Sequence, residues 1–180
     1  MSSVAALQPA VVVFREEQYF DWRVYALSGS LVVLTCLGLL WWADRISWEA
    51  MLPAIRRPDY LFKGALALGV PTGLIFMLLL MTTEVRPAEI RVWFGWIPFY
   101  RRLIDVESIR TIEVVTFRPL LDHGGWGIRS GREGERVLSA RGNRGVRLEL
   151  ADGTRILIGS QRPEALAIAI KGSPGVDGGA

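Results

Sequence analysis

Two apolar runs constrain this chain more than any other feature. Residues 25–43 (YALSGSLVVLTCLGLLWWA) and 64–83 (GALALGVPTGLIFMLLLMTT) contain no Asp, Glu, Lys or Arg. A helix of about 20 such residues matches roughly 30 Å of hydrocarbon at 1.5 Å per residue. Two of them in a chain of 180 residues predict two retained membrane spans. A cleaved leader does not fit the first run. It begins too late, its leading segment FREEQYFDWR carries three acidic against two basic side chains, and no small-x-small pattern follows. Trp22, Tyr25, Trp41, Trp42 and Trp48 suit an interfacial aromatic belt. Pro71, between Gly69 and Gly73, predicts a local kink in the second span.

Two spans place both termini on one side. Arg45, Arg56, Arg57 and Lys63 lie between the runs, and Arg15, Arg23, Arg86, Arg91, Arg101 and Arg102 flank them outside. The excess of basic residues on the outer flanks predicts cytoplasmic termini and a multi-pass protein of the cell membrane. Cys36, the single cysteine, lies within the first run. It rules out an intrachain disulfide and a cysteine metal site and reads as a packing residue.

Beyond Thr83 the period changes to two. Ile90, Val92 and Phe94 alternate with Arg91, Trp93 and Gly95, and residues 98–104 and 109–118 read as further strands. Residues 105–108 read as a turn or a single helical turn. Asp152-Gly153 between VRLEL and TRILI is a strong hairpin signal. Ser160 as a cap, with Pro163 and Glu164 in the first turn, predicts a C-terminal helix. Residues 172–180 (GSPGVDGGA) read as a disordered tail.

The expected organisation is a pre-membrane segment (1–24), a transmembrane hairpin (25–83), a β domain (84–171) and the tail (172–180). The fold class is an α+β membrane protein. Its β domain is a small barrel or sandwich of about seven strands closed by a helix, the element order of a pleckstrin-homology-like (PH-like) domain. The stretches GGWGIR (124–129), RGNRGVRLEL (141–150), ILIGSQRPEAL (156–166) and FREEQYF (14–20) resemble a family of bacterial membrane proteins with two spans and a bacterial PH-like domain. That resemblance implies the fold and brings no catalytic residues.

The glycine-rich stretch GGWGIRSGREG (124–134) poses a separate question. A phosphate-binding loop needs a lysine followed by Ser or Thr and then a helix, and more strand follows here. Positive-φ turns and a bulge are the better expectation. His123, the single histidine, sits beside Asp122. Sequence neighbours do not make a catalytic dyad, and no nucleophile motif occurs. Neither a catalytic residue, nor a cofactor, nor a metal site is expected, and the chain is not expected to be an enzyme.

The remaining signal is basic. From Thr83 to Lys171 there are 15 basic and 11 acidic residues. Arg129, Arg132, Arg136, Arg141, Arg144 and Arg147 fall close together and form the candidate anion- or lipid-facing set. Interspersed acids argue against nucleic acid. The expected role is therefore a membrane-anchored binding or scaffold module that presents a basic β domain to the cytoplasmic face. Its expected partners are the bilayer, anionic headgroups, a protein or a second copy. The alternative is an accessory subunit that packs on a larger membrane complex through its helices.

Overall fold

The computed structural model describes residues 12–42, 58–131 and 134–173. The chain divides into two compact units, one comprising Phe20–Leu79 and the other the chain before and after it.

The first unit is a pair of helices, α1 (Trp22–Trp42) and α2 (Pro58–Leu78), packed against each other. The Tyr25 ring stacks on Phe76 at 4.5 Å between centroids, and its hydroxyl donates to the Leu79 carbonyl at 2.7 Å. Pro71 lies inside α2. Among the described residues no helix is long and apolar enough to cross a membrane. This overturns the transmembrane hairpin, and with it the integral, multi-pass membrane localisation expected from the two runs. The expectations placed on Trp48 and the rest of 43–57, and on the tail beyond residue 173, lie outside the described residues.

The second unit is α+β and rich in sheet. Four strands form an antiparallel meander in the order β1-β2-β3-β4: β1 (Phe14–Tyr19), β2 (Leu80–Val85), β3 (Glu89–Phe94) and β4 (Tyr100–Asp105). A 3-10 turn at Val106–Ser108, capped by the Asp105 carboxylate, leads to the second sheet. That sheet runs β5-β8-β9-β7-β6: β5 (Ile109–Thr116), β6 (Gly127–Ser130), β7 (Arg136–Ser139), β8 (Arg144–Leu150) and β9 (Arg155–Gly159). Its β7–β9 pair is parallel. A short helix α3 (Pro119–His123) precedes β6, and α4 (Pro163–Lys171) ends the unit. Among the described residues there are nine strands with one parallel pair, where about seven are expected from the sequence. The difference begins at Phe14–Tyr19, which was assigned to a pre-membrane segment and is instead the first strand of the β unit.

The core follows strand alternation. Met81, Val85, Ile90, Val92, Phe94 and Ile104 are buried from the first sheet; Val146, Leu148, Ile156, Ile158 and Leu138 from the second. Leu166 and Ile170 of α4 are buried, and that helix packs against β1 and β2 of one sheet and β5 and β8 of the other. The opposite face of the second sheet carries a smaller apolar group of Phe117, Val137 and Leu157, with Val115 against it. The expected hairpin is β8–β9. Its Asp152 carboxylate accepts from the Thr154 backbone N–H at 2.8 Å, a bond that holds the carboxyl below its ordinary value.

Candidate functional site

The arginines that crowd together in sequence do not form one surface. Neighbouring residues on a strand point to opposite faces, and the strand register divides the set accordingly. Arg129 lies opposite Val137, Val137 opposite Leu157, and Leu157 opposite Arg147, so Arg129 and Arg147 share the Phe117 face. Arg136 lies opposite Ile156, and Arg144 opposite Thr116, which puts both on the other face. Arg141 is exposed in the turn before β8. Arg132 lies outside the described residues.

Two of these guanidinium groups are already taken. The Arg147 Nε donates to Glu135 Oε1 at 2.6 Å, with the carboxylate side chain only 8% exposed and the arginine 38%. Arg144 pairs with Glu164 in the first turn of α4. Glu164 is held below its ordinary value first by its own backbone N–H and then by Arg144. The Arg129 Nε donates to the Trp126 carbonyl at 3.3 Å. The turn at 141–143, a candidate anion nest in the sequence, instead offers carbonyls. Arg141 O accepts from Gln161 Nε2, Gly142 O from the Trp126 indole, and Asn143 O from the Phe117 N–H.

The glycine loop shapes backbone. Gly124, Gly125 and Gly127 all take positive φ, Gly124 as the left-handed cap of α3. The Gly125 N–H donates to the Pro119 carbonyl at 2.8 Å. Asp122 is used as a cap, accepting from the Arg118 N–H at 2.8 Å. The His123 ring lies 5.8 Å from Phe117, and its Nδ1 has no hydrogen-bond partner among the described residues. Among the described residues no carboxylate is hydrogen-bonded to the imidazole. Among the described residues no cluster of three or more His, Cys, Asp or Glu is placed to hold a metal ion.

Sequence reading misses two features. The first is a buried polar seam where β1 meets the end of β9. Glu16 is buried, its Oε2 accepting from Ser160 Oγ at 2.5 Å and its Oε1 from the Gln161 N–H at 2.8 Å. The Gln18 side chain donates to the Gly159 carbonyl at 2.9 Å. Ser160 accepts in turn from the Arg162 N–H, and the Arg162 guanidinium lies over the Phe14 ring and donates to the Arg15 carbonyl. Arg162, and not Ser160, is therefore the N-cap residue of α4. Both oxygens of the Glu16 carboxylate are engaged, which makes it a clamp between distant parts of the chain.

The second feature is the β3–β4 turn, Gly95-Trp96-Ile97-Pro98-Phe99, of which Pro98 and Phe99 are expected from sequence to lie in a strand that instead starts at Tyr100. It is a tight turn closed by Phe99 N–H to Phe94 O at 3.2 Å. Trp96, Ile97 and Phe99 are exposed on it. A pattern of Trp, Ile and Phe around Gly and Pro is its sequence signal.

The chain matches no protein-family model, no curated protein and no solved structure.

Proposed function

We propose that this chain is a non-catalytic binding and scaffold module. Its β unit is the presented part, and its helix pair is the attachment element by which it joins a larger assembly. One observation carries the reading. Large apolar side chains of α1 and α2, among them Leu27, Leu31, Leu34, Leu37, Leu66 and Leu74, stand exposed. Contiguous apolar surface of that kind marks an interaction site and is otherwise an aggregation liability. The β unit supports the same reading, since its buried carboxylates are spent on internal clamps. The resemblance to a bacterial family that brings no catalytic residues agrees with a binding role.

The test is the mass of the full chain in detergent-free buffer, by light scattering. The native chain is expected to associate through its helices. Replacing Leu27, Leu31, Leu34 and Leu74 by Gln is expected to return it to a monomer, with hydrogen-exchange protection of the β unit unchanged. A native chain that runs as a dispersed monomer would overturn the reading, because its apolar helix faces would then need no cover.

A further inference from the structure

We propose that the β3–β4 turn is a docking tip that inserts Trp96, Ile97 and Phe99 into the surface of an anionic lipid layer, with Arg101 and Arg102 at the headgroups. The contact belongs to the β unit and goes beyond the attachment through the helices.

The turn is built to hold these side chains outward. Gly95 takes φ +88°, and a Cβ there would meet the Ile97 carbonyl at 2.7 Å and the Phe99 ring at 2.9 Å. Only glycine allows the chain to double back so tightly. The Gly95 N–H donates to Leu80 O at 2.7 Å, and the Phe99 N–H to Phe94 O. Pro98 fixes a further dihedral. Phe94 is buried beneath, within 6.4 Å of the Phe99 ring and 6.1 Å of the Tyr100 ring. The base of the turn is thus anchored in the core while Trp96 is 78%, Ile97 67% and Phe99 60% exposed. A preorganised tip loses little conformational entropy on docking.

The chemistry around the tip selects the occupant. Arg101 and Arg102 are the second and third residues of β4, one residue past the turn, and both are exposed. Neither is in an ion pair among the described residues, although Arg102 contributes weakly to lowering Asp152. Tyr19, also exposed, lies opposite Leu80 at the same end of the sheet. Trp, Tyr and Phe with arginine beside them is the set that settles at a lipid–water boundary, with the rings about 5–10 Å deep and the guanidinium groups at phosphate level. The one carboxylate in the adjoining register row, Glu17, is already bonded to Arg15 at 2.6 Å. A convex apolar tip rimmed by unpaired cations is complementary to a negatively charged, deformable surface. This is contact with one leaflet by a turn.

The test uses the full chain with a single reporter at the tip. Cys36 is the only cysteine, so Trp96→Cys in a Cys36→Ser background takes one environment-sensitive fluorophore. The probes are vesicles of neutral phosphatidylcholine and vesicles mixed with anionic phosphatidylglycerol. A blue shift with the mixed vesicles that weakens with salt is expected. Arg101→Gln with Arg102→Gln is expected to weaken the apparent affinity roughly 25-fold at low salt, from up to about 1 kcal/mol per arginine. The same label on the Leu→Gln helix variant keeps its shift, which separates the tip from the helices. If the label stays unshifted with both vesicle types, the proposal fails and a protein partner takes its place. An equal shift with neutral vesicles, indifferent to the arginines, also overturns it.

Discussion

Glu16 and Ser160 stand 144 positions apart in the chain and share a buried hydrogen bond of 2.5 Å. The same carboxylate accepts from the Gln161 N–H at 2.8 Å. One strand from the start of the chain is thereby fastened to the junction of β9 and α4. Without the carboxylate, the Ser160 hydroxyl and the Gln161 N–H lose their acceptor, at a penalty of about 1–3 kcal/mol per buried polar group. Glu16→Ala is therefore expected to lower the stability of the β unit by about 2–4 kcal/mol in urea unfolding. Glu16→Gln, which retains one acceptor oxygen, is expected to lose roughly half of that. A loss below about 0.5 kcal/mol in the alanine variant would show that β1 is not held by this clamp.

That clamp also shows what the sequence conceals. The strand FREEQY places Glu16 and Gln18 inward and Arg15 and Glu17 outward. Both faces are polar, so the period-two signal that reveals a strand is missing. The strands β3 and β8 carry Ile, Val and Leu at every second position, β9 is a short unbroken apolar run next to a turn, and all three are legible for that reason, as is the Asp152-Gly153 turn. The arginine set failed differently. Closeness in sequence says nothing about faces, and strand alternation sends Arg144 and Arg147 to opposite sides of one sheet. The two apolar runs are legible as helices over 25–42 and 64–78, whereas Leu80–Thr83, the end of the second run, belongs to β2.

The two arginine–carboxylate pairs are expected to differ in strength. Arg147–Glu135 involves a carboxylate almost out of solvent, whereas both partners of Arg144–Glu164 are about half exposed. Double-mutant cycles should give a coupling of about 1–3 kcal/mol for the first and a clearly smaller one for the second. Half-molar salt should erase the second and spare much of the first. Equal couplings would mean that burial does not set the difference.

The Arg144–Glu164 pair also predicts a pH dependence. The folded-state value of Glu164 lies below its ordinary 4.5, through its own backbone N–H first and Arg144 second. A depressed carboxyl contributes stability that is fully present above the unfolded value and is lost as pH falls through the folded one. Arg144→Gln is therefore expected to destabilise the chain at neutral pH and to match the native chain once Glu164 is protonated in both. A difference that persists unchanged in strong acid would assign the effect to packing of the arginine stem.

Thr83 offers a change in the opposite direction. It lies on β2 opposite Glu16, is buried to 1% exposure, and its Oγ1 has no hydrogen-bond partner among the described residues. A buried hydroxyl without a partner lowers stability by about 1–3 kcal/mol relative to an apolar group of the same shape. Valine keeps the β-branch and the strand preference and replaces the hydroxyl by a methyl group. Thr83→Val is therefore expected to leave stability unchanged or raise it by about 1 kcal/mol in urea unfolding. Thr83→Ala, which removes a methyl as well, is expected to lower it by about 1 kcal/mol through the void left beside Glu16. The two variants together separate the hydroxyl from the volume. If valine is as harmful as alanine, the hydroxyl is bonded in solution and the seam around Glu16 is more completely satisfied than its side-chain geometry shows.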